Sequence, residues 1–236
     1  MSDFDRNVAA FPGAARTVAV DAGLRAHMIT VYNYMAAGVA ITGAVAWFTN
    51  QYFGQQLHGS PIMWVLIFAP LGLVFFLSYK IESLSVSTAR ALFFVYAALL
   101  GASLSVIFRV YTDASITRVF FISAAAFGGL SLWGYTTQRD LTGMGSFLMM
   151  GLIGIIIASL VNIFLKSSGL DWIISVIGVV VFAGLTAWDT QKIKEMYSPY
   201  DDGTIGGRKA VMGALALYLD FINLFMMLLR IAGDRR

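Results

Sequence analysis

The chain of 236 residues is 58% hydrophobic and only 12% charged, with a mean hydropathy of +0.76. Soluble domains run to about half apolar and a quarter charged residues, so a water-soluble globule is excluded and a bilayer is the natural solvent. Sixteen Lys and Arg against thirteen Asp and Glu leave a net charge of +3, which does not point to nucleic acid, and the absence of Cys removes disulfides, thiolate metal sites and Cys nucleophiles.

Residues 1–26 carry Asp3, Asp5, Arg6, Arg16, Asp21 and Arg25 before any long apolar run. This is a polar tail rather than a cleavable signal peptide, whose apolar core would lie close to Met1. Residues 27–236 then read as one membrane domain with seven apolar segments, at about 28–49, 62–79, 91–108, 117–135, 146–165, 172–190 and 210–231. Each is continuously apolar over about the 20 residues a spanning helix needs, whereas barrel strands alternate over about 10. An all-α integral membrane protein is therefore expected. Between the spans, Gly54, Gly59 and Pro61 mark one turn and Ser167-Ser168-Gly169 another. The longest connection is expected at Tyr197–Arg208, where Ser198-Pro199-Tyr200-Asp201-Asp202-Gly203 and Gly206-Gly207 break helices.

Ten Lys and Arg fall on the side of the N-terminus and six on the other. The positive-inside rule then favours a cytoplasmic N-terminus and an exported C-terminus. A re-entrant seventh segment would instead return both termini to the cytoplasm. Small residues such as Gly143 with Gly145, Gly151 with Gly154, and Ser103 with Ser105 read as helix-packing positions.

Two carboxylates stand out because an ionised Asp in hydrocarbon costs at least about 2.5 kcal/mol. Asp220 lies deep in the seventh span, where Gly213, Ala216, Asp220, Asn223 and Met227 recur at three- and four-residue steps as one small, polar, inward stripe. Asp189 shares a face of the sixth span with Phe182, Thr186 and Lys192. It is either an interfacial partner of Lys192 or a second inward carboxylate. Two inward carboxylates that met would share a proton. Fully ionised, they would form an oxygen site for a hard cation such as calcium. Counted from Lys194 and Lys209, however, Asp189 lies about 8 Å deep and Asp220 about 16 Å, and tilt or a low-starting seventh helix must remove the difference. His27 and His58 are isolated and read as structural; no zinc motif, phosphate loop or nucleophile elbow occurs. The Gly-x-Gly-Asp context of an intramembrane aspartyl protease is missing too, so an enzyme is not expected and no cofactor is implied.

Trp188-Asp189-Thr190-Gln191-Lys192-Ile193-Lys194 is followed by Ala216-Leu217-Tyr218-Leu219-Asp220-Phe221-Ile222-Asn223-Leu224-Phe225 and Leu228-Leu229-Arg230. Together these resemble the signature of the Bax inhibitor-1 family. Tyr32-Asn33-Tyr34-Met35-Ala36, Ser131-Leu132-Trp133-Gly134-Tyr135-Thr136-Thr137-Gln138-Arg139-Asp140-Leu141 and Gly145-Ser146-Phe147-Leu148 extend the resemblance. It is strongest to the bacterial inner-membrane branch. The resemblance implies six helices around a central seventh, and Asp189 with Asp220 as a pH-sensing, gating pair. It also implies a basic partner at Lys80 or Arg90, with Asn223, Gln191, Tyr218 and Thr186 as supporting residues. The implied function is a pH-dependent calcium leak whose partners are membrane lipids, calcium and protons, with modulation of a membrane-bound AAA protease as the alternative. One departure stands against calcium selectivity: where some relatives carry an acidic residue midway along span two, this chain has Ala69-Pro70-Leu71.

Overall fold

The computed structural model describes residues 12–57 and 59–236; residues 1–11 of the polar tail and His58 lie outside the described residues. The chain runs through α1 (Pro12–Leu57), α2 (Pro61–Lys80), α3 (Val86–Leu104), a single turn α4 (Ile107–Val110), α5 (Asp113–Thr136), α6 (Thr142–Leu165), α7 (Ser168–Met196) and α8 (Gly203–Ala232). Seven of these are long and apolar enough to cross a membrane. Among the described residues the sole extended pairing is an isolated bridge between Tyr111 and Arg235. Six of the seven apolar segments fall inside single helices and the third, 91–108, runs through the Ser105–Val106 turn from α3 into α4; most helices overrun their segments, because hydropathy marks the hydrocarbon while backbone hydrogen bonding continues to the cap.

The overrun corrects two expectations. The segment through Gly54 is helical to Leu57 rather than a turn. The connection expected at Tyr197–Arg208 is shorter, because α8 already begins at Gly203. The Asp202 side chain accepts from the backbone N–H groups of Thr204 and Ile205 at 2.9 and 2.7 Å, satisfying two of the donors that a helix start leaves unpaired. Gly207 lies inside α8, where a Cβ would collide with Val86 at 2.7 Å; it is a close-packing glycine, not a breaker.

α8 is the most buried span. It packs chiefly against α1, α3, α5 and α7, while α2 packs on α3 and α6 on α7. One face of α8 presents Leu217, Tyr218 and Phe221 to the core. Phe93 and Tyr96 of α3 meet the Tyr218 ring edge-on, and Phe120 and Phe127 of α5 meet Phe221 in the same manner. Such pairs add about 0.5–1.5 kcal/mol each beyond burial. Between spans, where lipid supplies no hydrophobic drive, polar ties matter. The Tyr218 and Thr42 hydroxyls lie 2.6 Å apart, and Thr42 Oγ1 also lies 2.9 Å from the Ala97 carbonyl. A second tie joins Tyr32, Ser131 and Thr190 across α1, α5 and α7, with oxygen separations of 2.7 and 2.9 Å.

The small residues divide. Gly145 lies against the Trp188 ring and Gly151 against Val181, but Gly143 and Gly154 have no foreign atom within 4 Å of a built Cβ. Gly101 against the Thr42 backbone and Gly134 against the Ala187 backbone carry the closest helix approaches instead.

The two ends of the bundle are distinct. At one, Gly23 lies against Tyr197 and Lys209 bridges the Met196 carbonyl and Asp201. At the other, the C-terminal residues fold back onto the start of α5: Asp234 pairs with Arg118 at 3.0 Å and Arg236 with Asp113 at 2.8 Å. The start of α1 and the end of α8 therefore lie at opposite ends of the bundle, and α8 is a continuous helix rather than a re-entrant one.

Candidate functional site

Asp189 of α7 and Asp220 of α8 come within hydrogen-bonding distance of each other. Their register explains how. Gly213 of α8 lies against Ile193 of α7; Asp189 is about one turn from Ile193 and Asp220 about two turns from Gly213. The axial offset at the pair is therefore about 5 Å, within reach of two side chains. α8 already starts at Gly203, six residues before the Lys209 from which the depth of Asp220 is counted.

Ionised carboxylates only accept hydrogen bonds, so a bond between two of them requires that one carry a proton. Asp220 is 5% exposed, and its Oδ2 has no hydrogen-bond partner among the described residues. Both carboxyls line a groove of about 580 Å³ between α6, α7 and α8, joined there by Ala216, Asn223 and Met227 of the α8 stripe. That stripe is turned into the protein, toward α7 and the groove beside α6.

No ion pair among the described residues involves either carboxylate. Lys192 is close enough for its charge to act on Asp189, but its ammonium sits over the Trp188 ring, 4.9 Å from the centroid. Asp189 therefore turns to Asp220, not to an interfacial salt bridge with Lys192.

The supporting residues separate by helix face. Asn223 lines the groove, its Nδ2 donating to the Leu219 carbonyl at 2.8 Å. Gln191 points elsewhere: its Nε2 donates to the Arg139 carbonyl and its Oε1 accepts from Leu141 N–H, both at 2.8 Å, clamping the α5–α6 connection. Tyr218 points to Thr42, and Thr186 donates to the Phe182 carbonyl within its own helix. Lys80 lies over the Tyr79 ring, and Arg90 Nη1 donates to the Tyr34 hydroxyl at 3.5 Å; neither meets the pair. His27 is buried against the Tyr197 ring, with Nε2 unpartnered among the described residues. Among the described residues no three His, Asp or Glu side chains converge as a metal cage would require, so the pair offers calcium two carboxylates and no third.

An all-helical bundle of seven apolar spans, with a carboxyl pair between its last two, defines an integral membrane protein. The chain belongs to the Bax inhibitor-1 family: residues 24–236 match the family model described as inhibitor of apoptosis-promoting Bax1. It is 49% identical to the inner membrane protein YbhL of Escherichia coli, over 96% of this chain and 99% of that one. It is also 49% identical to an uncharacterized protein of Rickettsia prowazekii over 92% of each, and 44% identical to one from Caulobacter vibrioides over the full length of both.

Proposed function

We propose that the chain is a pH-sensitive cation leak of the bacterial inner membrane, calcium being its ion, gated by the Asp189–Asp220 pair. In this reading the N-terminus is cytoplasmic, no reaction is catalysed, and no resident cofactor is used. The observation that carries the reading is the contact between two carboxyls on consecutive spans without a counter-charge in ion-pair contact. With a shared proton the pair ties α7 to α8. When that proton leaves, two negative charges at about 4 Å repel by roughly 4 kcal/mol at an effective dielectric of 20, a bias of about three decades between joined and parted states. Of the groups facing the pair, α6 contributes none that titrates, α8 contributes Asn223, and Lys192 of α7 offsets part of the repulsion. Raising the pH therefore parts the helices, and flux rises with it.

The test is calcium entry into proteoliposomes across pH 6 to 8. Asp189→Asn and Asp220→Asn each remove one titrating member and should flatten the rise. Lys166→Ala, at the far end of the bundle, should keep it. If both Asn variants retain the wild-type profile, the pair is structural and the leak is gated elsewhere.

A further inference from the structure

The groove beside the pair is built unlike a path for a hydrated ion. Apart from Ser159, Asp189, Asp220 and Asn223, its wall is made of apolar residues such as Leu152, Ile156 and Phe182. Its outer rim, Ile156, Leu160 and Ile163, is 51%, 55% and 64% exposed, so in a bilayer the groove opens sideways onto acyl chains. From Asp220 it runs along α8 to Met227, two turns or about 10 Å further, and its volume falls within the range of small-molecule sites. At its polar end, buried Asp220 Oδ2 has no donor among the described residues, and an acceptor left unmatched in such a setting is costly. What this cavity lacks is a cationic hydrogen-bond donor carrying an apolar tail.

We propose that the groove binds a lipophilic primary ammonium ion from the bilayer, its head donating to Asp220 and Asp189 and its alkyl chain lying along α6. The singly protonated pair carries one negative charge, which one ammonium neutralises. The missing donor is supplied by an N–H, and the chain replaces lipid against Leu152 and Ile156. An anionic amphiphile is repelled, and a neutral alcohol of the same length gains the groove contacts without the charge. This rests on the reading of the pair as a site sharing one proton, and not on conduction.

The experiment uses the full chain in nanodiscs, with binding of dodecylamine and of dodecanol measured by ligand-detected NMR and empty nanodiscs subtracted. Dodecylammonium should bind the wild type at least about tenfold more tightly than dodecanol, as a charge-assisted hydrogen bond provides. Asp220→Asn should remove that preference and leave dodecanol binding unchanged; Asp189→Asn, which keeps the buried Asp220, should reduce it. Ser159→Trp, on the α6 wall of the groove, should weaken both ligands. Equal binding of amine and alcohol to the wild type overturns the proposal, as does a preference that survives both Asn variants. The measurement needs no ion gradient: a protein that binds the amine but passes no calcium retains this inference and loses the leak, and the reverse result does the opposite.

Discussion

Replacing Lys192 by Gln removes a cation whose charge acts on Asp189. Lys192 is three residues from Asp189 on α7, so their charges lie about 7 Å apart. At an effective dielectric of 20 this is roughly 2.4 kcal/mol. Lys192 is exposed, however, and solvent screening reduces the interaction to about 1 kcal/mol, equivalent to about 0.7 pH unit. The sign follows from which state the cation favours. Lys192 stabilises the ionised pair, so without it a higher pH is needed to remove the shared proton. The midpoint of the flux-versus-pH curve should therefore move up by about half to one pH unit in Lys192→Gln, with its steepness retained. Lys192→Arg should restore it. Lys80→Gln and Arg90→Gln should leave the midpoint in place, because those side chains are engaged with Tyr79 and Tyr34. An unchanged midpoint in Lys192→Gln, or a shift in either of the other two, would refute the assignment of Lys192 as the neighbouring charge.

Three further outcomes follow from the packing and the topology. Gly134→Leu drives a side chain into the Ala187 backbone and pulls Ser131 from Thr190, so thermal unfolding in detergent should show a loss of about 2–4 kcal/mol, from overpacking plus a hydrogen bond. Tyr218→Phe keeps both edge-on ring contacts and loses only the bond to Thr42, which should cost about 1 kcal/mol in the same assay; a loss as large as that of Gly134→Leu would show the ring itself had moved. Fusion of a reporter active only in the cytoplasm to Arg236 should give no signal, since α8 crosses the bundle without turning back and basic residues favour a cytoplasmic N-terminus.

The sequence makes the spans legible because hydrocarbon tolerates so few compositions: seven apolar runs become seven helices. Helix ends are less legible, since α8 starts at Gly203 through the Asp202 cap and extends over Gly206-Gly207, which composition alone marks as breakers. Asp189 and Asp220 are visible as charges where charge is expensive. Their neighbours mislead because proximity in sequence is not proximity on a helix. Tyr218 and Gln191 each lie two residues from an aspartate, which places them on the opposite face, and both bond away from the pair. The partner atoms involved, Arg139 O and Leu141 N, come from a distant connection that no local pattern announces. Pro70 and its neighbours belong to α2, among the least buried spans, which packs on α3, so an acidic residue there would sit apart from the pair.

The way α8 is held decides what would move if the pair parts. Its inner face is fixed by Tyr218 to Thr42 and by rings from α3 and α5. Its face toward α7 makes the most extensive helix contact in the bundle, closed by Gly213 on Ile193 and Met227 on Gly178, with the carboxyl pair between them. α7 is in turn fastened to α5 through Thr190 and Ser131, and to α6 through Trp188 against Gly145. In the proposed reading, repulsion of a few kcal/mol is too small to break several aromatic contacts and a buried hydroxyl tie, and it acts directly only where the two carboxyls meet. The strain of proton loss in that reading falls on the α7–α8 contact beside the pair, while α8 stays seated on α1, α3 and α5. Both carboxyls line the groove beside α6, so in that reading proton loss and lateral access from the bilayer act at the same place.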